Sequence, residues 1–292
     1  MEINGKEIAD QILDDLHKTI QKIASRGVQP PKLIVFAIEP NEETRVFMKN
    51  KKRAAEKIGA ICGIKIYEAA PSFEDFMRSV QELCGNTDAT GAIIQLPLPT
   101  AFLSSTLNRC IPPEKEIEGF SHKPIFDYPI GLAVLTILSS IYNPEKSIIY
   151  SIHDFHNGIR HAMKNKRIVL LGRGATGGIP IGNTLSKAKI SYVSINSSTD
   201  NNIRSKFISE GDIIITAVGK KIITPDMIKP QSVLISVGMR KDGDLWKGDY
   251  EDHEIKDKVL AYTPTPNGIG PLNVAFLMYN LVKAWKLQNN FE

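Results

Sequence analysis

The sequence predicts an α/β fold made of two domains. Short apolar runs typical of buried strands alternate with amphipathic stretches of helical length, a pattern that favours parallel sheets covered by helices. A polar, irregular stretch at 143–166 interrupts this alternation, and a glycine-rich segment at 172–178 restarts it. The chain has 292 residues and is 42% hydrophobic, so it is long and apolar enough to build two cores.

The first half of the chain consists of repeated βα units. Isoleucines and leucines at three- and four-residue spacing mark the buried face of the first helix. Asn41 can cap the next helix and Gly59 can end it, and Ser72 with Asp75 forms a capping-box pattern before the third. We predict strands at 32–38, 61–67 and 92–94, and helices at 8–23, 41–58, 72–85 and 132–141.

Composition and charge narrow the class of protein. The formal net charge of +4 comes from interspersed lysines and arginines, which suits anionic small ligands. Because no basic face carries interleaved aromatic residues, we expect no nucleic-acid partner. We find neither an apolar signal region nor a long hydrophobic span, so we expect no membrane association and a cytoplasmic location.

Nothing in the sequence predicts a metal site. The three cysteines form no CxxC pair and have no histidine at ligand spacing, so we expect packed, reduced thiols. His153, His156 and His161 lie in the polar stretch at loose spacing, which indicates surface positions rather than ligands.

Gln95 stands at the polar end of a buried strand. The apolar run 92–94 leads directly into Gln95, and Pro97 and Pro99 then stop the strand and stiffen the chain. A buried amide without a partner costs on the order of 2 kcal/mol. We therefore expect the Gln95 side chain to meet another polar group or a ligand, either to bind that ligand or to fasten the loop.

The second domain opens with a dinucleotide-binding pattern. A GxGxxG sequence begins at Gly172, follows the predicted strand 168–171 and precedes a helix that runs to about Lys187. Gly172 suits the tight turn, Gly174 lets the backbone approach a pyrophosphate, and Gly177 permits close packing. This context predicts a Rossmann-type, doubly wound nucleotide-binding domain.

The end of the following strand favours NADP over NAD. After the predicted strand 191–195 the chain continues with Asn196, Ser197 and Ser198, without a carboxylate to hold a ribose 2′-hydroxyl. Arg173 could instead pair with a 2′-phosphate, or it could simply be solvated. The predicted nucleotide contacts are Gly172, Arg173, Gly174, Ala175, Thr176 and Gly177 in the loop, and Asn196, Ser197, Val218, Gly219 and Gly238 at later strand ends.

Two more strands and a final helix complete the pattern. The predicted strands 212–218 and 232–237 both lead to glycines, at Gly219 and Gly238, where a cofactor could lie against bare backbone. The last helix, at about 274–285, is expected to return to the first domain. We therefore predict a discontinuous catalytic domain, 1–142 with 271–292, and a nucleotide-binding domain at 143–270, with a cleft between them.

Taken together, these segments resemble the methylenetetrahydrofolate dehydrogenase/cyclohydrolase family. The likeness is collinear over nearly the whole chain and is weakest between Ser121 and Lys166. It rests on segments 44–59, 91–99, 115–120, 172–180, 218–220 and 264–271. The resemblance implies that the protein oxidises a methylene bridge on tetrahydrofolate with NADP and hydrolyses the methenyl product. It also implies a homodimer and a role in one-carbon metabolism that serves purine biosynthesis.

The family's active-site residues transfer only in part. Its catalytic lysine falls on Lys51 and its strand-end glutamine on Gln95, so both are kept. Its tyrosine one helical turn before the lysine becomes Phe47, and its pterin-binding aspartate becomes Glu118. The resemblance implies catalytic roles for Lys51, Gln95 and Glu118. It implies substrate contacts for Thr44, Phe47, Leu96, Pro97, Pro266, Gly268, Gly270 and Pro271.

Three functions are compatible with these residues. The first is the bifunctional enzyme, with Lys51 moving protons during hydrolysis, Gln95 orienting it and Glu118 holding the pterin. The second is a dehydrogenase that has weak hydrolysis or has lost it, because Phe47 lacks the tyrosine hydroxyl. The third is a non-catalytic protein that binds folate or nucleotide.

Overall fold

The computed structural model contains two compact α/β units, each with its own parallel sheet. It describes residues 1–85, 89–102, 107, 110–143 and 159–291. One unit comprises Asp10–Pro129 and Val274–Glu292 and is called the Lys51 unit below. The other comprises Met1–Ala9 and Ile130–Asn273 and is called the glycine-loop unit. The predicted domain limits, 1–142 with 271–292 and 143–270, stay a prediction.

The elements alternate in the predicted manner. The helices are α1 Gly5–Ala24, α2 Glu42–Ile58, α3 Phe73–Gly85, α4 Pro129–Tyr142, α5 Gly178–Lys187, α6 Asn201–Glu210, α7 Asp252–Ile255 and α8 Ile269–Gln288. The strands are β1 Lys32–Ile38, β2 Ile61–Tyr67, β3 Gly91–Ile94, β4 Ile168–Leu171, β5 Val193–Ile195, β6 Ile213–Thr216, β7 Val233–Ser236, β8 Arg240–Asp242, β9 Leu245–Lys247 and β10 Ala261–Tyr262.

The Lys51 unit is built on a three-stranded parallel sheet in the order β2-β1-β3. Six of the seven residues of β1 are buried, as expected for a central strand covered on both faces. Phe36, Phe76 and Phe102 pack edge to face in the core of this unit. Gly91 begins β3 where a Cβ would lie 2.9 Å from both Ile117 and Leu281, so this strand packs closely under α8.

The glycine-loop unit has a five-stranded parallel sheet in the order β10-β7-β6-β4-β5. Every residue of β4, β6 and β7 is buried, which is the composition expected for the centre of a doubly wound sheet. The strand order changes sides at β4, because β5 lies next to it on one side and β6 on the other, and this creates a switch point at the carboxyl end of β4. The glycine-rich loop begins at that end.

The predicted elements agree with the structure except at a few boundaries. The last helix begins at Ile269 rather than near 274, and α4 begins at Pro129 rather than at 132, because proline is well tolerated in a first turn. The hairpin β8-β9, the two-residue strand β10 and the helices α6 and α7 were not predicted. Of the linker histidines, His153 and His156 lie outside the described residues, whereas His161 lies in a short helical segment.

Two features are absent from the part of the chain that the structure describes. No helix there combines the length and apolarity that a bilayer crossing requires. The same ranges contain no group of three or more His, Cys, Asp or Glu side chains arranged to hold a metal ion.

Candidate active site

Lys51 is held between two polar side chains in the Lys51 unit. Its Nζ donates to Gln95 Oε1 at 2.9 Å and lies 3.2 Å from Glu118 Oε1. Only 8% of the Lys51 side chain is exposed, against 20% for Glu118. Desolvating a charge is costly unless it is paired, so this geometry fixes the lysine nitrogen in one place.

Helix α2 carries Lys51 on its buried face. Asn41 caps the helix by accepting from the Thr44 N–H, and Gly59 ends it in the left-handed conformation with φ 84°. Met48, Lys51 and Ala55 recur at three- and four-residue spacing among the buried residues of the helix. The neighbouring Lys52 is exposed and lies 3.8 Å from Glu56. Of these two lysines, only Lys51 lies on the buried face of the helix.

Gln95 has the hydrogen-bonding partners that its position requires. Its backbone N–H donates to the Phe36 carbonyl at 2.8 Å, which extends the β1-β3 ladder by one residue. Its side-chain Nε2 donates to the Leu96 carbonyl at 2.8 Å, while Oε1 accepts from Lys51. The Leu96–Pro97 peptide bond that follows is cis. The amide therefore fastens the loop, and its oxygen meets the polar group that its buried position requires.

Glu116 builds the turn that presents Glu118. The two oxygens of its buried carboxylate accept from the backbone N–H groups of Glu118 and Ser121, each at 2.8 Å. Burial, followed by the nearby Glu118 charge, raises the pKa of Glu116 to about 7. Asn280 on α8 supports the same turn by donating to the Ile117 carbonyl at 2.8 Å. Glu116 is not among the predicted site residues, although the sequence shows an acid two residues before Glu118.

The other residues predicted to contact the substrate are divided between the two units. Phe47 lies one turn before Lys51 on α2 and is half-buried, and the Thr44 hydroxyl donates to the Asn41 side chain at 2.8 Å. Leu96 and Pro97 directly follow Gln95 in the same unit. Pro266, Gly268, Gly270 and Pro271 belong to the glycine-loop unit, at the start of α8. The substrate contacts of all these residues stay predictions.

The glycine-rich loop has the backbone that a dinucleotide needs. Gly172 has a φ of 111°, and a Cβ there would lie 2.4 Å from the Ala217 carbonyl oxygen. A Cβ on Gly174 would meet no protein atom within 4 Å, so no packing contact within the unit explains this glycine. The tightest position is Gly178, where a Cβ would lie 2.1 Å from the Gly172 oxygen. Such a backbone can receive a pyrophosphate at the start of α5, and Gly178 packs more tightly than Gly177, where a Cβ would lie 3.3 Å from the Ala217 Cβ.

The end of β5 carries no carboxylate directed at a ribose. Asn196 follows the strand, and its Oδ1 accepts from the Ser198 N–H at 2.8 Å. The next acid along the chain, Asp200, caps α6 by accepting from the Asn202 and Ile203 N–H groups. Ser197 and Arg173 are both exposed. The polar groups nearest to this strand end are therefore hydroxyls and amides, as the sequence predicted.

Both parts of the chain match models of known protein domains. The profile described as "Tetrahydrofolate dehydrogenase/cyclohydrolase, catalytic domain" matches residues 3–118, and "Tetrahydrofolate dehydrogenase/cyclohydrolase, NAD(P)-binding domain" matches residues 149–289. The Bifunctional protein FolD of Rickettsia peacockii (strain Rustic) is 30% identical over 293 residues, which cover 97% of this chain and 96% of that protein. The chain belongs to the tetrahydrofolate dehydrogenase/cyclohydrolase family.

Solved structures support this family's fold for the chain. The bifunctional FolD dehydrogenase/cyclohydrolase from Campylobacter jejuni has a TM-score of 0.86 at 22% identity, with 99% of each chain covered. The Trypanosoma brucei FolD, complexed with NADP cofactor and an inhibitor, has a TM-score of 0.86 at 21% identity, with 99% of this chain and 98% of that chain covered. At these identities the likeness shows a shared fold.

These findings confirm the main predictions from the sequence. The chain is a tetrahydrofolate dehydrogenase/cyclohydrolase with a catalytic and an NAD(P)-binding domain, in a two-domain α/β fold. In this tetrahydrofolate dehydrogenase/cyclohydrolase, Lys51, Gln95 and Glu118 share one cluster. Their individual roles are taken up as proposals below.

Proposed function

We propose that this protein oxidises 5,10-methylenetetrahydrofolate with NADP and hydrolyses the 5,10-methenyl product to 10-formyltetrahydrofolate. The observation that carries this proposal is the position of Lys51 Nζ, 2.9 Å from Gln95 Oε1 and 3.2 Å from Glu118 Oε1. A buried amine with two fixed partners is suited to proton transfer at a defined point. By the same inference from the family, the protein works as a homodimer in the cytoplasm.

The oxidation step depends on position rather than on an acid or base. A nitrogen lone pair of the substrate assists loss of hydride from the methylene carbon, so no protein base has to remove a proton. Bound NADP supplies the hydride acceptor. The protein's part is to bind both molecules, with the glycine-rich loop on the pyrophosphate and Arg173 on the 2′-phosphate. Arg173 is exposed, and no carboxylate directly follows β5 to bind a ribose 2′-hydroxyl. Both features favour NADP over NAD.

The hydrolysis step requires Lys51. Water adds to the methenyl carbon and loses one proton to give a hydroxyl adduct. The bond from that carbon to N5 then breaks as N5 takes up a proton, and the hydroxyl loses its proton to solvent as it becomes the formyl C=O. The Lys51 side chain has three nitrogen-bound hydrogens when charged, and Gln95 and Glu118 account for two directions around Nζ. The remaining direction can reach the attacking water. There the neutral amine can accept the proton from water, and the resulting ammonium can donate a proton to N5.

Glu118 can serve the lysine and the substrate together. Its Oε1 contacts Lys51, and a fifth of the side chain is exposed. A carboxylate has two oxygens and accepts only, so Oε2 can accept hydrogen bonds from the amino group and ring nitrogen of a pterin. The turn held by Glu116 fixes the backbone that sets this direction.

A second candidate is a dehydrogenase that hydrolyses poorly. The observation in its favour is Phe47, which lies one helical turn from Lys51 and carries no hydroxyl to orient the amine or the water. The oxidation step needs no such group. This candidate therefore predicts that methenyltetrahydrofolate is released as the main product.

One assay distinguishes these functions. Purified protein is mixed with methylenetetrahydrofolate and either NADP or NAD, and the absorbances of the reduced nucleotide and of methenyltetrahydrofolate are recorded together. The bifunctional enzyme gives reduced nucleotide with little methenyl absorbance, whereas the second candidate accumulates methenyltetrahydrofolate in step with NADPH. Failure to reduce either nucleotide would refute both and leave a non-catalytic binding protein.

A further inference from the structure

A single buried carboxylate holds the ends of two central strands in the glycine-loop unit. Asp249 is completely buried, and its Oδ2 accepts from the Val218 N–H at 3.0 Å while Oδ1 accepts from the Lys220 N–H at 2.9 Å. Gly219 lies between these two donors with a φ of 74°. The carboxylate thus fixes the turn that follows β6.

The same residue is tied to the end of β7. The Asp249 N–H donates to Ser236 Oγ at 2.9 Å, and this hydroxyl donates to the Gly238 carbonyl at 3.2 Å. A Cβ on Gly238 would lie 2.4 Å from both Asp249 Oδ2 and the Gly219 nitrogen. Only glycine therefore lets the ends of β6 and β7 close around this carboxylate.

Burying the Asp249 carboxylate costs free energy that an ordinary turn does not require. Burying a carboxylate is unfavourable, and this burial raises the pKa of Asp249, while backbone hydrogen bonds from Val218, Lys220 and Gly219 oppose the shift. Three of the residues that surround Asp249, Val218, Gly219 and Gly238, are predicted nucleotide contacts. The stabilised feature is therefore the backbone surface on which the cofactor is expected to lie.

We propose that Asp249 is a positioning residue for the nucleotide. Its carboxylate sets the relative position of the Val218–Lys220 turn and of Gly238, and through them shapes the surface for the nicotinamide end of NADP. Asp249 itself does not contact the cofactor. This inference rests on the proposed function only in that these strand ends contact the nucleotide.

The test compares Asp249, which binds the turn after β6, with Asp212, which directly precedes β6. Asp249→Asn keeps the shape but offers one oxygen, so an amide N–H2 then faces a backbone N–H. Asp212→Asn is the matched control, because Asp212 precedes β6 and accepts from the Arg167 N–H at 2.6 Å, at the amino end of the sheet. Dissociation constants for NADP and for tetrahydrofolate are measured directly by titration on the full-length variants, and folding is verified by circular dichroism.

We expect Asp249→Asn to weaken NADP binding by about 10-fold to 100-fold, the effect of losing a charge-assisted hydrogen bond. We expect KM for NADP to rise while kcat at saturating NADP falls much less. Tetrahydrofolate binding and the Asp212→Asn variant should stay within about 2-fold of the parent. If Asp249→Asn does not fold, Ser236→Ala removes only the hydroxyl that accepts from Asp249 and should raise the NADP dissociation constant by a few-fold.

Unchanged NADP binding in a folded Asp249→Asn protein would overturn the proposal, and so would equal weakening in Asp212→Asn. If Asp249→Asn cannot be folded, parent-like NADP binding by Ser236→Ala would do the same. Because binding is measured without turnover, loss of the folate reaction in the parent would refute the proposed function while leaving this inference standing. A parent that binds neither NADP nor NAD would refute both.

Discussion

Replacing Glu116 by glutamine should change how stability depends on pH. The carboxylate is buried, accepts two backbone N–H groups at 2.8 Å, and has its pKa raised from 4.5 to about 7. One pKa unit corresponds to about 1.4 kcal/mol, so this shift is linked to about 3 kcal/mol of folding free energy. Glutamine has nearly the same shape and does not titrate, so it removes this dependence.

Proton binding by Glu116 determines whether stability rises or falls with pH. Between pH 4.5 and 7 the folded state keeps a proton on Glu116 that the unfolded state has lost, so rising pH destabilises the fold through this group. The contribution is complete below pH 4.5 and lost above pH 7. We therefore expect the free energy of unfolding of Glu116→Gln, relative to the parent, to improve by about 2.5 kcal/mol from pH 5 to pH 8.

Denaturant unfolding at pH 5, 6, 7 and 8 measures this difference directly, because all other titrating groups are common to both proteins. Glu114→Gln is the matched control, since Glu114 is an exposed acid in the same turn region and its replacement removes no buried carboxylate. A difference between Glu116→Gln and the parent that stays constant within about 0.5 kcal/mol would refute the reasoning.

Four further predictions concern the Lys51 cluster and the glycine-rich loop. Phe47→Tyr should raise the hydrolysis rate by a few-fold to about 100-fold, with the oxidation rate unchanged within about 2-fold, as measured by the loss of methenyl absorbance. Gly178→Ala should destabilise the fold by about 2 kcal/mol or more in denaturant unfolding, because its Cβ would lie 2.1 Å from the Gly172 oxygen. Gly174→Ala should fold like the parent, since its Cβ has open space, but should bind NADP more weakly in a titration. Arg173→Ala should raise KM for NADP by about 10-fold or more and leave KM for NAD nearly unchanged in steady-state assays; equal changes for both nucleotides would contradict the assigned phosphate contact.

The part of the site that the sequence predicts is the part governed by local rules. Gln95 could be recognised because a polar side chain ends a buried strand, and such a group must find a partner. The capping residues Asn41 and Gly59 set the limits of α2, and helical spacing then puts Lys51 on its buried face. The family resemblance added the pairing of Lys51 with Gln95, which spacing along the chain does not contain.

The site residues that could not be predicted from the sequence lie in turns and loops. Glu116 and Asp249 are acids in turns, where a carboxylate is most often solvated, and only the folded structure gathers backbone N–H groups around them. Gly178 looked like one glycine among several until the structure brought it against Gly172. The hairpin β8-β9 was missed because its strands, Arg240–Asp242 and Leu245–Lys247, are too short to show a periodic pattern.

The most direct test of the account is to separate hydrolysis from oxidation at Lys51. Lys51→Ala is compared with Lys52→Ala, the exposed neighbour on the same helix, by recording NADPH formation and methenyltetrahydrofolate hydrolysis in the same preparations. If hydrolysis by the parent is below detection, both variants are made in the Phe47→Tyr background. We predict that Lys51→Ala lowers hydrolysis by about 100-fold or more, the usual effect of losing a proton-transfer group, while NADP binding stays within a few-fold and Lys52→Ala resembles the parent. Hydrolysis at the parental rate by Lys51→Ala would contradict the account.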